Sequence, residues 1–358
     1  MFENESSKAL QIGEATGYLA SVVSTFGYLP ENSLVIQGIH EGMTTYHLRV
    51  DLPNLDHTGR VLAMVRDATV GNGSEHIMVG IYDAHQSPRG AEALSPLVSE
   101  ITAELELFNG PEVVMSWYVG ADDMFQFSTP ETSSTVANVV TEICDRQLAG
   151  LTRESLVTPA QRVERFSTVE APEFADLLDE ARAADLDAAQ VLTVWESALE
   201  RIVKHDPILQ STLATLAVSL ERQKHRDAVM VLAAGDRTAA GGVYLGTDAP
   251  DDERTERLAL GLTGEAPDWA GIDALAEILA VIVSGAKDEP QIMAQAYAVM
   301  NWVEWTKGRG SIGGAFGDKA EAIDPSIMFP RMLDAMGVCR WAAVREHSYG
   351  QWMIRRNQ

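Results

Sequence analysis

Near residue 132 the strand signals in this 358-residue chain stop, and no other feature constrains its fold as much. Upstream, apolar residues switch between helical and alternating spacing. The stretch from Ser7 to Tyr28 places Leu10, Ile12, Leu19, Val22, Val23 and Phe26 on roughly one helical face, and Pro30 stops it. Ser33–Ile39 is a short run rich in branched residues, a strand signal. After a turn at His40-Glu41-Gly42-Met43, the residues Tyr46, Leu48, Val50 and Leu52 alternate with polar ones. That period predicts a strand with a buried face and a wet face that carries His47. A helix capped near Asp56-His57-Thr58 should run to about Val70. His76–Asp83 reads as the clearest buried strand. A helix opening at Ser95-Pro96-Leu97, a strand at Glu112–Val119 and a hairpin partner at Met124–Phe127 follow. This order predicts a mixed α/β layer with right-handed crossovers.

Downstream, segments near 133–148, 172–183, 186–204, 207–221, 225–234, 252–262, 269–285, 289–307, 311–323 and 326–345 read as helix. Pro159, Pro172, Pro207, Gly241-Gly242, Pro267 and Asp324-Pro325 punctuate them, and 235–253 reads as a loop. The fold class expected is therefore α/β plus all-α. Residues 1–131 form the mixed sheet domain and 132–358 the helical one. Within 289–345, Ala294, Ala298, Trp302 and Trp305 precede a turn at Gly308-Arg309-Gly310. Ala315, Phe316, Ala320 and Asp324-Pro325 follow it. That pattern is tetratricopeptide-like.

Charge narrows the partners. The net charge is -25, and the acidity is spread along both halves. Such a surface repels phosphate backbones and anionic membranes, so neither nucleic acid nor membrane is expected as a partner. Arg340, Arg345, Arg355 and Arg356 form a basic end that reads as a solvated helix terminus. The acidic start Met1-Phe2-Glu3-Asn4-Glu5 does not resemble a signal peptide, and Ile278–Val283 is too short to span a bilayer, so a cytoplasmic protein is expected. Cys144 and Cys339 form no CxxC pair, and no metal or cofactor is expected.

Chemical motifs are sparse. Gly308-Arg309-Gly310-Ser311-Ile312-Gly313 matches G-x-G-x-x-G, but a helix precedes it where the dinucleotide motif needs a strand, so it reads as a helix–helix turn. Asp185-Leu186-Asp187 reads as a helix start with one carboxylate as cap. Asp122-Asp123 follows a strand and reads either as a turn, the commoner use of adjacent carboxylates, or as ligands for a divalent cation. His85 and Asp83 lie at a strand end, where α/β proteins place ligands, and Asp51 can join them. Trp302 and Trp305 share a helix face, either packing between helices or offering a platform to a partner.

The segment Gly27-Tyr28-Leu29-Pro30-Glu31-Asn32-Ser33-Leu34-Val35-Ile36-Gln37-Gly38, followed by His47-Leu48-Arg49-Val50-Asp51-Leu52-Pro53, resembles the opening of an actinobacterial family catalogued as domain of unknown function 4192. The later strands and the helices around Gly308, Gly310 and Asp324-Pro325 fit the same resemblance, which names no catalyst, cofactor or substrate. Read physically, Arg49 and Asp51 lie side by side on one strand face next to the turn at Asn32-Ser33. They form either a structural clamp or a polar pocket in which Arg49 grips an anion. The expected role is a binding or scaffolding module whose helical half, through Trp302 or Trp305, docks a protein partner. The alternative is an enzyme acting on a small anionic substrate with Ser33, Arg49, Asp51, Asp83 and His85 around the strand ends.

Overall fold

The computed structural model describes residues 14–356 except 42, 53–57, 71–73, 84–89, 147, 149–150, 152–155, 246–256, 287, 337–338, 340 and 342–346. The chain divides into two units, Met1–Thr158 and Pro159–Gln358.

The first unit is built on one six-stranded mixed sheet. Its elements are α1 (Ala15–Phe26), β1 (Ser33–His40), β2 (Met43–Asp51), α2 (Gly59–Val70), β3 (His76–Asp83), α3 (Gly90–Leu107), β4 (Glu112–Gly120), β5 (Asp123–Gln126), β6 (Ser134–Thr135) and α4 (Val136–Asp145). The strand order is β2-β1-β3-β4-β5-β6. Only β3 and β4 run parallel, joined across α3; the other neighbours are antiparallel. Gly27 ends α1 in a left-handed conformation, φ 75°, and its amide donates to the Val23 carbonyl. Glu41 turns the β1–β2 hairpin with φ 51°.

Alternation along the strands feeds two cores. Val35, Met78, Tyr82, Trp117 and Val119 pack with α1 and α4. Leu34, Ile36, Ile77, Val79, Ile81 and Tyr118 pack with α2 and α3 on the other face. Because α4 completes the first core, this unit runs to Thr158, past the boundary expected at residue 131. The helix expected at Ser95 begins at Gly90 and carries Pro96 inside it. The proline forfeits one bond near the helix start, and buried Gly90, Leu94, Leu97, Ile101 and Leu105 hold that face. His47 is not on a wet face. It packs edge-on to Phe26 at 6.0 Å and contacts the Thr25 hydroxyl at 3.2 Å. Burial there pushes its imidazole down to about 4.

The second unit shows helices and no strand among its described residues. They are α5 (Pro159–Phe166), α6 (Leu178–Ala183), α7 (Ala188–Val203), α8 (Gln210–Ser219), α9 (Gln223–Ala233), α10 (Arg237–Leu245), α11 (Trp269–Gly285), α12 (Pro290–Thr306), α13 (Gly310–Ile323), α14 (Phe329–Met336) and α15 (Tyr349–Arg356). Pro159 opens a helix rather than closing one, since a proline loses nothing at the first helical position. Gly241-Gly242 lies inside α10, so the expected loop is helical as far as Leu245; 246–253 falls outside the described residues. Asp187 caps α7 in a capping box with Gln190. The helices α12 and α13 meet through Gly308, φ 79°. They approach closely at Gly313, whose carbonyl accepts from Asn301 Nδ2 at 2.7 Å. No helix among the described residues is long and apolar enough to cross a membrane.

Candidate functional site

The strand-end candidates do not converge. Ser33 pairs with Asp51 on one side and Tyr82 on the other, and Arg49 pairs with Val35. Ser33 and Arg49 thus share the face of Tyr82 and Val35, which packs on α1 and α4, because directly opposed residues share a sheet face. Arg49 Nε donates to Ser33 Oγ at 2.8 Å, and that hydroxyl donates to the Glu31 carbonyl at 2.5 Å. Asp83, one position past Tyr82, points to the other face. There its carboxylate accepts from the Tyr118 hydroxyl at 3.2 Å, and burial beside that carboxylate pushes the phenol up to about 12. The backbone of α3 closes over it: a methyl group on Gly90 would lie 2.5 Å from the Asp83 carboxylate. The sheet therefore stands between Arg49 and Asp83. His85 and the Asp51 side chain lie outside the described part of the molecule.

The geometry at Arg49 is that of a clamp tying β2 to the turn before β1. Arg49→Ala is expected to lower stability by about 1.5–3 kcal/mol, the range for a hydrogen bond that involves a charged group. Chemical denaturation measures it, and an unshifted midpoint would remove the clamp.

The tryptophan platform is also corrected. Trp302 is fully buried and Trp305 nearly so, and the Trp302 indole donates to the Ala259 carbonyl. Neither ring is offered to a partner, because the face they share lies in the interior of the helical unit. The glycine-rich turn after them joins two helices, and beside it lies a charged cluster. Glu304, 2% exposed, faces Arg309 at 3.4 Å and Arg162 at 3.9 Å. Lys307 contacts Asp273 at 2.7 Å, and Tyr349 donates to the same carboxylate at 3.0 Å while its ring covers Lys307 and Arg309. Burial raises the Glu304 carboxyl, but Arg309, Lys307 and Arg162 outweigh it and hold the group below its ordinary value. Every charge here faces an opposite one, which is the pattern of a structural network.

A concave site occurs elsewhere, at a place the sequence does not announce. A cavity of about 200 Å³ lies among α6, the turn before α7, the end of α8 and the start of α9. Ala181, Leu186, Val191 and Val218 supply its apolar wall. Its polar wall holds Ser219, Thr215 and His225, with Arg182, Arg222, Asp185 and Glu221 around them. Ser219 is fixed, accepting from the Trp195 indole at 2.9 Å and donating to the Leu216 carbonyl at 2.6 Å. His225 is 7% exposed. Burial and the neighbouring Arg222 charge lower its pKa, so the imidazole is neutral at pH 7.

The two arginines differ. Arg182 contacts Glu221 and Glu289, each at 2.7 Å, and Asp179 at 3.2 Å. Arg222 meets Asp185 at 2.8 Å in a pair whose side chains are 59% and 77% exposed. Asp185 has a left-handed φ of 38°. The charged residues come from three chain segments with no shared motif, so only packing reveals them. Among the described residues, no group of three or more His, Cys, Asp or Glu side chains is placed to hold a metal ion.

Comparison with known proteins agrees with the motif at residues 27–53. No curated protein and no solved structure matches the chain. One family model, described as Domain of unknown function (DUF4192), matches residues 17–338, nearly the whole length. The chain belongs to the DUF4192 family.

Proposed function

We propose that this protein is a cytoplasmic binding module whose helical unit holds a small molecule. The observation that carries the reading is the cavity beside His225: an apolar wall opposite a few fixed polar groups and a buried neutral imidazole, the composition of small-ligand sites. A scaffold gripping its partner through Trp302 and Trp305 is disfavoured by the burial of both rings. An enzyme at the strand ends is disfavoured because Arg49 and Asp83 occupy opposite sheet faces. The tetratricopeptide-like reading of 289–345 is supported by the α12–α13 pair and its glycine turn, and it makes that pair part of the frame rather than the site.

The test is a thermal-shift screen of the full chain against a panel of small polar metabolites. At least one class should raise the melting temperature by several degrees. Ala181→Phe, which fills the cavity from α6, should abolish that rise while leaving the helical circular dichroism intact. A flat screen on the unaltered protein would end the reading.

A further inference from the structure

The charges at the mouth of this cavity define what enters it. Of its two guanidinium groups, Arg182 is committed: three carboxylates from Asp179, Glu221 and Glu289 surround it. Arg222 is held differently. Its ion pair with Asp185 bridges the turn before α7 to the turn before α9, and both partners are more than half exposed. Pairs of this kind are weak, because water screens the attraction and two flexible side chains must be ordered to make it. The clasp can open without disturbing the helices behind it.

Opening the clasp exposes one cation and one anion together. A ligand carrying only a negative group satisfies Arg222 but leaves Asp185 without its partner, in a chain whose net charge of -25 already repels anions. A ligand carrying only a positive group satisfies Asp185 and leaves Arg222 unmatched. A ligand carrying both replaces each half of the pair. Beside the charged pair the lining includes Ala181, Leu186, Val191 and Val218, which asks for an apolar group attached next to the ligand's charges. Size sets the scale. The cavity is below the range of about 300–1,000 Å³ typical of drug-sized ligands. At ~30 Å³ for each water it displaces, it holds the equivalent of about seven.

We infer, resting on the small-ligand reading above, that the helical unit binds a small zwitterion with an apolar side group, the chemical class of an aliphatic α-amino acid. The Arg222–Asp185 pair opens to take its carboxylate and its ammonium. His225, Ser219 and Thr215 line the inner polar wall, and the left-handed backbone at Asp185 presents the receiving carboxylate.

Titration calorimetry of the full chain with three probes tests this: L-leucine, N-acetyl-L-leucine, which keeps only the anion, and L-leucinamide, which keeps only the cation. Leucine should bind at least tenfold tighter than either blocked form. Arg222→Gln should erase its advantage over the amide, and Asp185→Asn its advantage over the acetylated form. Asparagine tolerates the left-handed φ at position 185, so that variant keeps the turn. If either blocked form binds as tightly as leucine on the unaltered protein, the zwitterion assignment is overturned while the cavity remains a ligand site. If none of the three binds while the metabolite screen finds another class, the assignment falls alone. If neither experiment finds a ligand, both readings fall together.

Discussion

Gly80→Ala should destabilise the protein by about 2–3 kcal/mol, the upper part of the range for overpacking a filled core. Gly80 sits in β3 between Val35 and Trp117, and the added methyl carbon would lie 1.8 Å from the Tyr18 hydroxyl. That hydroxyl occupies the space over the bare backbone because Tyr18, fully buried in α1, lies flat on Trp117, with ring centroids 5.2 Å apart and planes at 12°. The ring cannot slide away without leaving its stacking partner. Adding Tyr18→Phe to Gly80→Ala should recover much of the loss, since the nearest ring carbon is 3.1 Å from the new methyl. Urea denaturation of the two single variants and the double variant gives the coupling directly. Strictly additive effects would show that Tyr18 is not seated over Gly80.

Glu304→Ala is the second large effect, at about 3 kcal/mol, the low end of the cost of breaking a buried pair, because Arg309 and Arg162 are themselves partly exposed and Lys307 keeps Asp273. The cavity left by the side chain adds to it. Glu304→Gln keeps the shape and isolates the charge. The pH dependence has a definite sign. The folded carboxyl sits below its ordinary value of 4.5, so it binds fewer protons folded than unfolded. Its contribution is complete above that ordinary value and is lost as pH falls through the folded one. Stability profiles of the native protein and Glu304→Gln should therefore converge on acidification. Parallel profiles down to pH 2 would mean that the carboxylate is not held by Arg309, Lys307 and Arg162.

How much of this was legible in the sequence depends on the range of the interaction. The strand at His76–Asp83 and the hairpin before it were readable because branched residues alternate over short stretches, and those stretches appear as β3, β1 and β2. Sheet-face parity was harder. Arg49, Asp51 and Asp83 look like neighbours at strand ends, yet the register that puts Ser33 opposite Tyr82 sends Asp83 through to the other side. His47 was assigned to water by alternation within β2. Only the packing of α1, whose Thr25 lies 22 residues back along the chain, covers that face. Gly80 carried an unused signal, since a glycine inside a strand marks a close approach of another group. The cavity had none: Arg182, Asp185, Arg222 and His225 meet through the packing of α6, α8 and α9, and no short motif records that.

The residues beyond the family match have an electrostatic consequence. The match ends at 338, yet the Trp341 indole bonds to Thr263, the His347 carbonyl receives the Trp269 indole, and Tyr349 roofs Lys307 and Arg309. The Tyr349 ring lowers the local dielectric over the two cations beneath it. The border drawn by shared ancestry and the border drawn by exclusion of solvent thus fall at different places, and the tail beyond the first is part of the insulation that sets how strongly Glu304 and its cations attract.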